Sequence, residues 1–192
     1  MKLNIHLMSH PVIQHLSNTI IDKKFKSDNT YQTLRQLGLL ITYETIRNWV
    51  RTYKLTIKQI EKEKEVVIID PKESYLIILN DLESLSLLQE IQLLIPKIKL
   101  ELIYKYDIGE KNQYINKLQS VDSYTKIIMI NHKIEVGYVI NLLDYLTNNN
   151  NIKTNQIRLT CIECETNQLL AISKKYAELN IYTTKITDNS IA

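Results

Sequence analysis

Ile127-Ile128-Met129-Ile130-Asn131-His132-Lys133-Ile134-Glu135-Val136-Gly137-Tyr138-Val139-Ile140 opens on an unbroken apolar run and resumes, after a polar interruption, as residues at helical spacing. Such a run, bounded by polar residues, suits a strand buried on both faces, and the pattern over 136–146 suits a helix packed against it. Similar runs recur on either side, at 75–79 followed by a helical pattern over 82–94, at 98–104, and at 157–162 followed by a helical pattern over 168–179. Strands alternating with helices predict an α/β fold with a parallel sheet and helices on its faces.

Upstream of this block, Val12, Ile13, Leu16, Ile20 and Ile21 recur at helical spacing behind His10-Pro11, with the proline placed in the first turn. Leu34, Leu37, Leu40, Ile41 and Thr45 share one face of a second helix that Asp28 or Asn29 can cap and that should run to about Trp49. Between 51 and 70 the period falls to two. Tyr53, Leu55 and Ile57 lie on one side, Glu61-Lys62-Glu63-Lys64 reads as a solvated turn, and Val66-Val67-Ile68-Ile69 returns, so a β-hairpin arm is predicted. Asn148-Asn149-Asn150-Asn151 reads as a loop without chemistry. The expected organisation is one domain over 1–192, with N-terminal helices at 1–50, the arm at 51–71 and the α/β core at 72–192.

Composition narrows the function classes. With 44% hydrophobic and 23% charged residues the chain is an ordinary globular one rather than disordered or fibrous. Average usage would supply about 13 glycines, whereas Gly38, Gly109 and Gly137 are all there are, which nearly excludes a glycine-built phosphate loop. A net charge of +3 is too weak to imply nucleic-acid binding. The single Cys161-x-x-Cys164 lacks the further Cys or His ligands of a closed zinc site, and it lies in a predicted strand rather than opening a helix, so both thiols are read as packed in a reducing compartment. Neither a secretory signal nor an apolar run long enough to span a membrane is recognisable. Heavy use of isoleucine, lysine, asparagine and tyrosine suggests A+T-rich codons, which points to a plastid stroma with an organelle-encoded gene, or to a bacterial-type cytoplasm.

The segment His10-Pro11-Val12-Ile13-Gln14-His15-Leu16 is similar to the opening of uracil phosphoribosyltransferases, and Leu39-Leu40-Ile41-Thr42-Tyr43-Glu44-Thr45 resembles that family's Leu-Leu-x-Tyr-Glu-Ala helix end. Leu94-Ile95-Pro96, Tyr104-Lys105 at the family's Tyr-Arg, Tyr114-Ile115-Asn116-Lys117-Leu118 and Ile181-Tyr182-Thr183 follow in order, so the resemblance covers nearly the whole chain. It implies a type I phosphoribosyltransferase fold, with the arm helping to form a homodimer. It also implies a chemistry, the transfer of ribose 5-phosphate from phosphoribosyl diphosphate to uracil in pyrimidine salvage. Positive charge then builds on the ribose and negative charge on the departing diphosphate, and binding and electrostatics must stabilise both.

Against that family the site motifs are eroded. The phosphate loop, Asp-Pro-Met-Leu-Ala-Thr-Gly-Gly-Ser in the family, corresponds without gaps to Ile130-Asn131-His132-Lys133-Ile134-Glu135-Val136-Gly137-Tyr138, and only Gly137 survives. Ile130 cannot bind ribose hydroxyls, and Glu135 sets a negative charge where a phosphate should sit unless it serves simply as a helix cap. His132 and Lys133 are candidate anion contacts, though a solvated loop role is the simpler reading. The diphosphate turn, Leu-Arg-Ala-Gly in the family, is Leu79-Asn80-Asp81-Leu82 here, and the family's closing uracil-reading segment has no counterpart before Ala192. Lys105, which keeps a charge but not the fork geometry of the family's arginine, and Gly137 are the vestigial substrate-binding residues, and no catalytic or metal-binding residue is assigned. The reading is a degenerate homologue without transferase activity and without a cofactor, Mg2+ entering only if phosphoribosyl diphosphate still binds. A homodimer is the expected partner, with no membrane or nucleic-acid contact and weak grounds for a small phosphorylated ligand. Residual or altered transfer, and a non-catalytic regulatory nucleotide-binding role, are the alternatives.

Overall fold

A computed structural model describes residues 3–22, 30–60, 62–95, 98–103, 118, 121, 124–149 and 152–188. The α/β expectation holds. Strands β1 (Asn4–Leu7), β4 (Tyr75–Leu79), β5 (Ile98–Leu102), β6 (Lys126–Lys133), β7 (Ile157–Glu165) and β8 (Asn180–Thr187) form a six-stranded sheet in the order β1-β8-β7-β6-β4-β5. Every pairing in it is parallel. Strands β2 (Thr52–Lys58) and β3 (Glu63–Ile69) pair antiparallel as a separate hairpin, with Leu55 opposite Val66.

Two apolar clusters explain why the strand sequences read as continuous runs. Successive residues of a strand point to opposite faces. Leu76, Ile78, Ile127 and Met129 therefore join one cluster with Leu142, Leu143 and Leu146 of helix α4 (Val136–Asn149) and Leu169 and Ile172 of helix α5 (Thr166–Ser173). Tyr75, Ile77, Leu79, Ile128 and Ile130 join the other, which covers Ile13 of helix α1 (Pro11–Ile21) and Leu37 and Ile41 of helix α2 (Thr30–Ile46). A sheet buried on both faces needs apolar residues at every position of its central strands, and all five residues of β4 are buried.

Several elements depart from expectation. The segment 82–94 is not one helix but a 3-10 turn, Glu83–Leu88, followed by a single α-turn, α3 (Ile91–Leu94). Asp81 Oδ1 accepts the Ser84 N–H at 2.7 Å, which tightens the first turn, and Leu87 then runs its main chain against Gly38 of α2. The family-like helix opening is as read, with Pro11 at its start and His10 Nδ1 accepting the Val12 N–H at 3.2 Å. Residues 28 and 29, proposed as caps of α2, lie outside the described residues. Helix α4 extends to Asn149, so half of the asparagine run is helical rather than loop. Strand β1 was not anticipated, and β6 runs on to Lys133, three residues further than its apolar run.

At the N-terminal edge of the sheet a polar and aromatic cluster ties the root of the hairpin to the core. Glu73 accepts hydrogen bonds from the Lys126 ammonium, the Tyr75 hydroxyl and the Arg51 main-chain N–H. Lys126 also donates to the Trp49 carbonyl. The Arg158 guanidinium stacks 4.3 Å from the Trp49 ring and 5.2 Å from the Tyr182 ring, and donates to the Thr45 carbonyl. Burial and the Glu73 hydrogen bond push the Tyr75 phenol upward, so it stays a donor. Among the described residues no helix is long and apolar enough to cross a membrane.

Candidate functional site

In open parallel sheets ligands sit beyond the C-terminal ends of the strands, so the β6–α4 connection and the ends of β4, β7 and β8 form the place to examine. Ile130 is fully buried, with Leu79 and Thr160 as its register neighbours and the α1/α2 cluster around it. Asn131 is fully buried too, and neither of its amide atoms has a hydrogen-bond partner. Lys133 is exposed and pairs with Glu163 of β7 at 3.0 Å, so its charge is met by a carboxylate of the same edge. Ile134 is buried, its carbonyl accepting the Gln168 side-chain N–H at 2.9 Å.

Helix α4 begins at Val136, which makes Glu135 its N-cap residue. The Glu135 carbonyl accepts the Val139 N–H at 3.0 Å and its side chain is exposed. A carboxylate there suits the positive end of the helix and disfavours a second anion. Tyr138 turns inward and is 3% exposed, within the α4/α5 cluster. Beside the helix start a cleft of about 430 Å³ stays open, lined by Glu135, Val136, Gly137, Asn141 and Gln168, with no serine or threonine hydroxyl among its described lining residues. Ile130 and Tyr138 are core residues on opposite sides of the sheet.

Gly137 survives from the motif, yet an added Cβ would meet nothing within 4 Å. Glycine inside a helix is less favourable than alanine, so Gly137→Ala is expected to raise stability by about 0.4–1 kcal/mol, read as a higher urea midpoint at unchanged slope. At the end of β4, Asp81 is occupied in capping Ser84, and Asn80 Oδ1 is buried without a hydrogen-bond partner, so neither supplies a cation for a diphosphate. A cleft of about 500 Å³ remains between the strand ends and the helices. Ile20, Ile21, Leu34 and Leu82 line it along with Tyr31, His132, Lys133 and Glu163. His132 and Lys133 do reach one cleft together, but its walls are mainly apolar. Lys105 lies outside the described residues, and so do 104, 114–117 and 189–192. Among the described residues no group of three or more His, Cys, Asp or Glu side chains is gathered as a metal site.

The family model for uracil phosphoribosyltransferase matches residues 7–191. The chain belongs to the uracil phosphoribosyltransferase family. A protein of Porphyra purpurea described as a uracil phosphoribosyltransferase homolog is 30% identical over 195 residues, covering 100% of this chain and 94% of its own. The corresponding homolog of Pyropia yezoensis is 29% identical, covering 98% and 91%. A uracil phosphoribosyltransferase of Synechocystis is 25% identical, covering 97% of this chain and 88% of its own. Among solved structures the AQ2163 protein of Aquifex aeolicus superposes with a TM-score of 0.70 at 17% identity, over 96% of this chain and 88% of its own, a likeness of fold.

The Lys133–Glu163 pair has no counterpart in the sequence reading. That contact depends on the parallel register of β6 and β7, in which Lys133 faces Glu163, and the two strands are separated in sequence by a helix. No local pattern carries it.

Proposed function

We propose that this chain is a uracil phosphoribosyltransferase homologue without transferase activity, whose role rests on its fold and on association with a second copy. The observation that carries the reading is the make-up of the β6–α4 connection, where Ile130 and Tyr138 are core residues and Glu135 sets a carboxylate at the helix start. Phosphoribosyl transfer requires the ribose 5-phosphate, the diphosphate and the base to be held together, and misplacement alone can lower the rate by about 100-fold. No uridine monophosphate is expected when purified protein is incubated with uracil, phosphoribosyl diphosphate and Mg2+ and the products are resolved chromatographically. Turnover at ordinary enzyme rates, about 1–1,000 per second, would overturn the reading and establish the retained-transferase alternative. The two buried free thiols are compatible with a reducing compartment, a plastid stroma or a bacterial-type cytoplasm.

The arm supports the homodimer. Tyr53, Leu55 and Ile57 are each about half exposed on one face of a hairpin that makes its own sheet, and a lone two-stranded element is marginal in water. Light scattering at micromolar protein is expected to give twice the chain mass, and deletion of 52–69 to give the monomer. A monomeric mass for the intact chain would remove the arm from this role.

A further inference from the structure

The cleft of about 500 Å³ at the C-terminal edge of the sheet shares no described lining residue with the opening beside the start of α4. It lies where open parallel sheets hold their ligands, and its size falls within the roughly 300–1,000 Å³ of small-molecule sites. Ile20 and Ile21 at the end of α1 and Leu34 of α2 form its wall, and all three pack on the α1/α2 core cluster. Leu82 and Tyr31 line it as well, yet they are 60% and 74% exposed. Apolar side chains left that open around a hollow present surface that a bound molecule would cover. Charge narrows the class of molecule. Among the described residues that line the cleft, the Lys, Arg, Asp and Glu side chains are Lys133 and Glu163, one of each sign, paired at 3.0 Å. An anion would have to draw Lys133 away from Glu163, whose side chain is only 14% exposed, and so strand that carboxylate without its cation. A cation would strand Lys133 in the same way. An uncharged molecule leaves the pair whole, and the ammonium, with three N–H donors, still has hydrogen bonds to give beyond the one to Glu163.

We propose that this cleft binds an uncharged, mainly apolar small molecule that carries a hydroxyl or carbonyl group at one end. The apolar body lies against Ile20, Ile21, Leu34 and Leu82 beside the Tyr31 ring, and the polar end accepts a hydrogen bond from Lys133 Nζ without parting it from Glu163. Phosphoribosyl transfer handles charged phosphates, so this site is different in ligand chemistry and stands apart from the presence or absence of that activity.

The test uses the full chain at about pH 8, where an ordinary imidazole is uncharged, with Nile red as a neutral fluorescent probe. One probe per chain is expected to bind. The alcohol n-octanol should displace it, whereas octanoate and octylammonium, equal in length but charged, should require about tenfold higher concentrations or more. Glu163→Gln leaves the Lys133 charge unopposed and should make octanoate the best competitor of the three, and Lys133→Met should favour octylammonium by the same logic. Leu82→Ser, at an exposed position, should weaken probe binding at an unchanged melting temperature. The same order of displacement in the parent and in both charge variants, or binding without a fixed stoichiometry, would overturn the proposal and mark the probe as adsorbed on exposed apolar surface. Absence of probe binding, or displacement by inorganic diphosphate ahead of n-octanol, would overturn it as well.

Discussion

Gly38→Ala is expected to lower stability by about 3 kcal/mol or more, the opposite sign from Gly137→Ala. A Cβ on Gly38 would stand 1.9 Å from the Leu87 carbonyl oxygen and 2.6 Å from its carbonyl carbon. Those are main-chain atoms of the 3-10 turn, so no rotamer change relieves the overlap, and either α2 or the turn must move. For a chain of this size the loss corresponds to a fall of about 6–12 °C in melting temperature. Trimming the Leu87 side chain should not rescue it, because the obstruction is backbone. An unchanged melting temperature would mean that α2 and the turn are not held at this distance in solution.

The second large effect concerns repair of the phosphate loop. Ile130→Asp together with Glu135→Thr, Val136→Gly and Tyr138→Ser would restore the family's side chains at four motif positions, and it is expected to unfold the protein rather than to recruit ribose 5-phosphate. Ile130 has no exposed surface and its neighbours are apolar, so an aspartate there is an unpaired buried charge, a change in the class that exceeds about 4 kcal/mol. Removing the Tyr138 ring from the opposite cluster should add roughly 3–5 kcal/mol for the cavity left behind. Their sum approaches the whole stability of an ordinary domain, roughly 5–15 kcal/mol. Glu135→Thr with Val136→Gly changes the exposed Glu135 and the partly buried Val136 at the rim of the α4/α5 cluster, leaves Ile130 and Tyr138 in place and should fold, which separates these changes from loss of the core. Urea denaturation followed by circular dichroism reads both variants. A four-residue variant with the parent's midpoint would show that Ile130 and Tyr138 are not core residues.

The fold was legible because its central strands are buried on both faces: Tyr75-Leu76-Ile77-Ile78-Leu79 and Ile127-Ile128-Met129-Ile130 have no polar residue to interrupt them. Strand β1 escaped notice because its four residues are all exposed and carry no period. The segment 82–94 has leucines at helical spacing, but its main chain is shaped by Gly38 across the interface, a contact invisible from either segment alone. At the site, what could not be read is where Tyr138 points, since on a helix start it could as easily have faced solvent, whereas it is 3% exposed.

The cluster of Glu73, Lys126, Tyr75, Trp49 and Arg158 lies at the end of the sheet opposite the β6–α4 connection. Substitutions at the C-terminal edge therefore leave that cluster intact, and substitutions at the N-terminal edge leave the β6–α4 connection intact. The hairpin root and the strand ends at β6–α4 are thus anchored by separate sets of residues, and a change at one end leaves the contacts of the other in place.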